Sequence, residues 1–213
     1  MIPMLMEQAR NEIIKYGKEI VDRGLTFGVS GNLSVYDPAT GDIAISPEGV
    51  STGMLSPEDI DIIDRKCNLL EGTRTPSSEQ ALHAAIYECR LNARAVVHMH
   101  SKFCTTLACM HVPLKAVHYA LAKTGVSTVP SVPFHTYGTL ELAADVQAKI
   151  GNSNAVLLEN HGLITCGSSM EEAFNLALTC EWVAEIQWRC LCAGTPFYLS
   201  DAQIDSLQKR YNE

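Results

Sequence analysis

Short apolar runs rich in β-branched residues alternate along this chain with segments of helical period, and several runs come in pairs split by turn chemistry. That combination commits the chain to an α/β architecture. Residues 33–36 and 43–46 flank Asp37-Pro38-Ala39-Thr40-Gly41-Asp42, whose Pro and Gly favour a turn, so a hairpin is predicted there. Residues 61–70 repeat the pattern around Lys66-Cys67-Asn68. Further strands are predicted at 95–100, 127–130, 155–159 and 162–166. The first helix is predicted over 4–23, where Leu5, Ala9, Ile13, Tyr16 and Ile20 recur near the helical period ahead of Gly24. Others are predicted from Ser77 to about Arg90, at 102–110, at 140–150, at 170–193 between a Ser168 or Ser169 cap and Gly194, and at 201–211. Hairpins set among helices imply a mixed or largely antiparallel sheet.

At 213 residues the chain is long enough for one full hydrophobic core and short for two, so a single domain over 1–213 is expected. Twenty-four acidic residues against 16 basic ones give a net charge of −8, with no Lys/Arg-rich patch. Nucleic acid and anionic membrane surfaces are therefore not expected partners, and small molecules are. No apolar run approaches the roughly 20 residues that span a bilayer, and Met1-Ile2-Pro3-Met4-Leu5-Met6 lacks a basic region and a cleavage site, so an unprocessed, soluble protein is expected. Eight cysteines without a paired framework, most of them within apolar periodic segments, point to free thiols and a reducing cytoplasm.

The residues that carry chemistry begin with His98-Met99-His100. On a strand, an i, i+2 pair points to one face, so two imidazoles are aimed at one place. His161, just after another apolar strand, and Glu79, at a helix start, complete three imidazoles and a carboxylate, a plausible tetrahedral zinc set. Glu79 also has a plainer reading, as part of the capping box that Ser77-Ser78-Glu79-Gln80 offers the helix. His83, His111 and His135 have no partner spacing, and a structural role is their default; His118 precedes Tyr119. Gly28-Val29-Ser30-Gly31-Asn32-Leu33-Ser34, Ser46-Pro47-Glu48-Gly49 and Ser77-Ser78 gather glycine turns, hydroxyls and a helix N-terminus, which together bind phosphate without Lys or Arg.

Gly31-Asn32-Leu33-Ser34, Ser77-Ser78-Glu79, His98-Met99-His100, Val117-His118-Tyr119 and Asn160-His161-Gly162-Leu163 occur in an order and spacing that resemble the zinc-dependent class II sugar-phosphate aldolases and epimerases, with the fuculose-phosphate branch most alike. The resemblance runs from the first helix to Leu199-Ser200-Asp201. It implies a three-layer α/β/α fold around a mostly antiparallel nine-stranded sheet, and a homotetramer with active sites between subunits. It implies one zinc ion per subunit on His98, His100 and His161, with Glu79 as both resting-state ligand and proton-transferring acid. Gly31, Asn32, Gly49, Ser77 and Ser78 match the phosphate-binding stretch, Tyr119 matches a tyrosine that reaches the neighbouring subunit's site, and Tyr137 matches an aromatic wall. Val29 and Glu48 depart from the threonines common in that branch: valine donates no hydrogen bond, and a carboxylate repels phosphate unless turned away. The tail that helps cover the site in some relatives is expected to be shortened or absent. The implied reaction is cleavage of a ketose 1-phosphate to dihydroxyacetone phosphate and an aldehyde. Aldolases for 5-deoxyribulose 1-phosphate, 4-epimerases, and decarboxylases or dehydratases of the superfamily share the pattern, and non-catalytic adducin-like interaction modules share the implied fold but have lost the metal residues, all of which are present here. The epimerases tend to carry Asp where Glu79 stands.

Overall fold

The structure, a computed structural model, describes residues 4–211; the stretch read above for a leader lies partly outside them. In chain order the strands are β1 (Asn32–Tyr36), β2 (Ile43–Ile45), β3 (Asp61–Ile63), β4 (Leu69–Glu71), β5 (Ala95–Met99), β6 (Ser131–Val132), β7 (Ala155–Leu158) and β8 (Gly162–Gly167). The helices are α1 (Glu7–Asp22), α2 (Gln80–Cys89), α3 (Lys102–Cys109), α4 (Leu140–Lys149), α5 (Met170–Ala193) and α6 (Asp201–Tyr211). One sheet takes the order β4-β3-β2-β1-β5-β8-β7-β6. Every neighbouring pair is antiparallel except β6 with β7.

Side-chain alternation divides the interior in two. Ala95, Val97 and Met99 of β5 enter a core shared with α1, α3, α5 and α6, represented by Ile13, Leu107, Phe174 and Ile204. Val96 enters the opposite core, built with Leu82 and Ile86 of α2 and Leu142 and Val146 of α4. A strand covered on both faces is apolar at nearly every position for this reason, and helices on both sides of the sheet give the expected three layers. His98 has the parity of Val96 and faces the α2/α4 layer.

Both predicted hairpins form, and the turn of the second carries Cys67 at φ 64. Helices α5 and α6 have the predicted bounds, and Ser169 is the α5 cap, its side chain accepting from the Glu172 N–H. The described sheet has eight strands, not nine. The predicted strand at 127–130 does not join it: Ala116 N–H donates to Ser127 O and Val129 N–H to Leu114 O, so this stretch pairs with residues 114–116 off the sheet. Pro130 has no N–H to carry a ladder onward, and the edge strand starts one residue later. The first helix starts at Glu7 rather than 4, after Met6 in a left-handed conformation.

Candidate active site

Three chain segments arrive at one end of the sheet. Asn32 opens β1 directly opposite His98 near the end of β5, and the parity of the strand carries His100 to the same side. The third segment is the β7–β8 hairpin turn, closed by His161 N–H donating to Leu158 O at 3.0 Å, with Asn160 at φ 56 in the third turn position, where Asn tolerates the left-handed conformation. His161 follows it. Gly162 is required there by close approach: a Cβ would meet Met99 O at 2.6 Å and the His100 ring at 2.9 Å. His111, without an assigned role on sequence grounds, braces this turn by donating from Nε2 to Asn160 Oδ1 at 2.7 Å.

The three histidine rings converge with centroids 4.8–4.9 Å apart. His98 Nδ1 donates to Leu163 O at 3.0 Å, which fixes the tautomer and leaves Nε2 a bare lone pair. That Nε2 lies 3.0 Å from His100 Nε2. Glu79 closes the cluster with Oε2 at 3.2 Å from His98 Nε2 and Oε1 at 3.5 Å from His161 Nε2. The capping-box reading of Glu79 is therefore overturned: it occupies the N-cap position of α2, makes no side-chain cap bond, and turns its carboxylate inward, 5% exposed. Oε1 is buried without a hydrogen-bond partner, an orphaned charge-bearing oxygen that a cation satisfies. A tetrahedral ion with bonds of roughly 2.0–2.2 Å sets its donors about 3.3–3.5 Å apart. The spacings above, 3.0–3.5 Å, lie close to that range, so His98, His100 and His161 fit a divalent metal, with Glu79 beside them.

Burial pushes the His98, His100 and His161 pKa values down to about 4, and that of His83 to about 3. All four are neutral at pH 7, and the three of the cluster are ready metal donors. An unfolded histidine titrates near 6.5, so on acidification the unfolded chain binds protons that the folded chain refuses. The stability held by these neutral rings is full above about pH 6.5 and is lost as pH falls toward about 4. The urea midpoint of metal-free protein is expected to drop steadily across that window, and a flat midpoint would contradict the buried neutral cluster.

The cluster floors a cleft of about 820 Å³. Gly31, Asn32, Gly49, Ser77 and Ser78, all expected at a phosphate, line it together with Tyr137, Phe134 and His135. Ser77 Oγ accepts the Glu79 N–H at 3.2 Å, fixing the turn into α2. Gly49, at φ +73, leaves space where a Cβ would stand. Val29 and Glu48 lie at the exposed rim, and no lysine or arginine is among the described lining residues. Tyr119 is not brought to this cleft; it stands 55% exposed beside the His118 ring, which itself meets Trp182 edge-on.

The model of the class II aldolase and adducin N-terminal domain family matches residues 11–188. The chain belongs to that family. It is a class II aldolase, an enzyme of a metal-dependent group acting on sugar phosphates. A 5-deoxy-D-ribulose 1-phosphate aldolase of Bacillus thuringiensis serovar kurstaki is 36% identical over 98% of this chain and 97% of its own. An L-fuculose phosphate aldolase of Escherichia coli K12 is 35% identical over 94% and 92%. Among solved structures, an L-fuculose 1-phosphate aldolase superposes with a TM-score of 0.95 at 35% identity, covering 99% of both chains. The adducin-like reading without catalysis is set aside by these full-length aldolase relatives.

What sequence inspection missed is behind the cluster. Asn32 Nδ2 donates to Glu79 Oε2 at 2.8 Å, and Asn32 Oδ1 is 2.5 Å from Nε2 of His83. His83 thus has partners after all.

Proposed function

We propose that this aldolase reversibly cleaves a ketose 1-phosphate between C3 and C4, with zinc in the histidine cluster, and that L-fuculose 1-phosphate is the substrate, giving dihydroxyacetone phosphate and L-lactaldehyde. The observation that carries the reading is the near-complete superposition on an L-fuculose 1-phosphate aldolase, with His98, His100, His161 and Glu79 gathered in one cleft. A bound divalent ion supplies Lewis-acid stabilisation of the negative charge that develops on the ketose oxygens. The cleft's described lining offers no lysine for a Schiff base.

In the aldol direction Glu79 takes the proton from C3 of dihydroxyacetone phosphate, and the electron pair left there attacks the aldehyde carbon. The aldehyde oxygen takes a proton from Tyr119 of a neighbouring subunit in a homotetramer; the exposure of Tyr119 and its place outside the cleft lining support delivery from a second copy. Ser77, Ser78, Gly31 and Gly49 hold the phosphate through hydroxyls, backbone N–H groups and the α2 N-terminus, with Asn32 lining the same stretch and its side-chain amide turned to Glu79, so that the ketose oxygens reach the cluster in one pose. Among the described residues no helix is long and apolar enough to cross a membrane, and the eight free cysteines suit a reducing cytoplasm.

A second reading has its own support. The Bacillus relative, 36% identical along nearly the whole of both chains, is a 5-deoxy-D-ribulose 1-phosphate aldolase. The test is dihydroxyacetone phosphate release from L-fuculose 1-phosphate, D-ribulose 1-phosphate and 5-deoxy-D-ribulose 1-phosphate, each with and without chelator. Turnover is expected with L-fuculose 1-phosphate fastest, abolished by chelator and restored by zinc. Preference for the deoxypentulose would replace the substrate, and no cleavage of any ketose by zinc-loaded protein would overturn the reading.

A further inference from the structure

Glu79, His83 and Tyr87 stand at i, i+4 and i+8 around α2, one above the other on the helix face turned toward the sheet. Asn32, Ser34 and Tyr36 stand at i, i+2 and i+4 along β1, on the sheet face turned toward α2. Four helical residues advance about 6 Å and two strand residues roughly 6.6 Å, so the two rows interleave like teeth. Tyr87 OH lies 2.7 Å from Ser34 Oγ, which lies 2.6 Å from His83 Nδ1. His83 Nε2 meets Asn32 Oδ1, and Asn32 Nδ2 meets Glu79 Oε2. The row ends on the stacked rings of Tyr36 and Tyr87, 5.1 Å apart. His83 and Ser34 are fully buried and Asn32, Glu79 and Tyr87 nearly so, so these polar groups pair with one another rather than with bulk solvent.

The chemistry of the groups fixes the direction of every bond. An ionised carboxylate only accepts, so Asn32 presents its NH₂ to Glu79 and its carbonyl to His83. The carbonyl requires a proton on His83 Nε2. Burial keeps His83 neutral, so Nδ1 is bare and accepts from Ser34, which in turn accepts from Tyr87. Burial also pushes the Tyr87 hydroxyl up and keeps its proton in place. Reversing Asn32 sets its carbonyl against the carboxylate where both side chains are buried, a costly arrangement.

We propose that His83 is a positioning residue of the aldolase reaction: with Ser34 and Tyr87 behind it, it locks the Asn32 amide so that Glu79 Oε2 is occupied and Oε1 is the oxygen left to exchange the proton. The proposal rests on the role given to Glu79 above. It predicts a loss in kcat rather than in binding, acting wholly through Glu79.

Two substitutions separate this from packing. His83→Gln carries an amide N–H to the place of Nε2 and keeps the donor to Asn32; His83→Asn is shorter and keeps only the side facing Ser34. With zinc-loaded protein, His83→Asn is expected to lower kcat by about 10- to 100-fold, the scale of lost outer-shell partners, with KM nearly unchanged. His83→Gln is expected to recover most of it, and His83→Asn is expected to cost nothing further in a Glu79→Gln background. Equal losses in Asn and Gln variants, a loss carried by KM, or the same factor in the Glu79→Gln background would overturn the proposal. If the parent cleaves no ketose, the functional reading fails by itself, and zinc affinity of the apoprotein decides instead. His83→Asn is then expected to weaken zinc by about tenfold in the parent and not in Glu79→Gln; an unchanged affinity, or equal weakening in both, overturns it.

Discussion

Glu79→Gln is expected to leave zinc bound at close to one ion per chain while lowering turnover by about 10²- to 10⁴-fold, the usual worth of a positioned acid or base. The glutamine has the volume of the glutamate, so the entry to α2 and the contact from Asn32 Nδ2 survive, with the amide oxygen as acceptor. What is lost is an oxygen that can carry a proton, at a place where Oε1 is buried with no other partner. Metal analysis beside steady-state kinetics checks both halves. Full turnover in the metallated variant would remove Glu79 from the reaction, and loss of the ion would make it chiefly a ligand.

His98→Ala is expected to abolish both stoichiometric metal and activity. Of the three histidines it is the fully buried one, with Nδ1 tied to Leu163 O and Nε2 at the centre of the cluster. The substitution removes a donor, leaves the Leu163 carbonyl short of a partner and opens a cavity between β5 and α2. The loss in metal affinity should exceed the roughly 10- to 100-fold typical of an outer-shell partner. Replacement of the more exposed His161 by Gln separates ligand loss from packing, because it disturbs the core less. A His98→Ala protein that is metal-loaded and active would refute the ligand assignment.

The strands, helices and histidine pair were legible because each depends on short-range signals: a β-branched apolar run at 95–99, a Pro/Gly turn at 37–42, a serine cap before a long apolar stripe. The edge of the sheet was less so. Whether 127–130 or 131–132 joins β7 depends on which long-range partner it finds, and the local apolar pattern does not record that. Glu79 illustrates the same limit at the site. Capping chemistry and metal chemistry use the same residue at the same helix start, and only the position of β5 against α2 decides between them. His83 was passed over because its partners are Asn32 and Ser34, some fifty positions away. A signal was nevertheless present, as polar residues at i, i+4 on an apolar helix and at i, i+2 on an apolar strand. Polar rows at matched pitch on two elements destined for one core are a reason to expect that they meet.

The absence of lysine and arginine from the described cleft lining bears on how a phosphate monoester comes and goes. An arginine fork holds a dianion by charge over several ångströms, and salt competes with it. Hydroxyls, amide N–H groups and one helix end act at short range, where salt competes less than it does with an exposed ion pair. A site of this kind recognises its ligand by the tetrahedral outline of the phosphoryl group rather than by its charge. On the proposed assignment the metal ion is the one strong positive charge beside the phosphate, and a small phosphorylated product departs without first breaking an arginine or lysine ion pair.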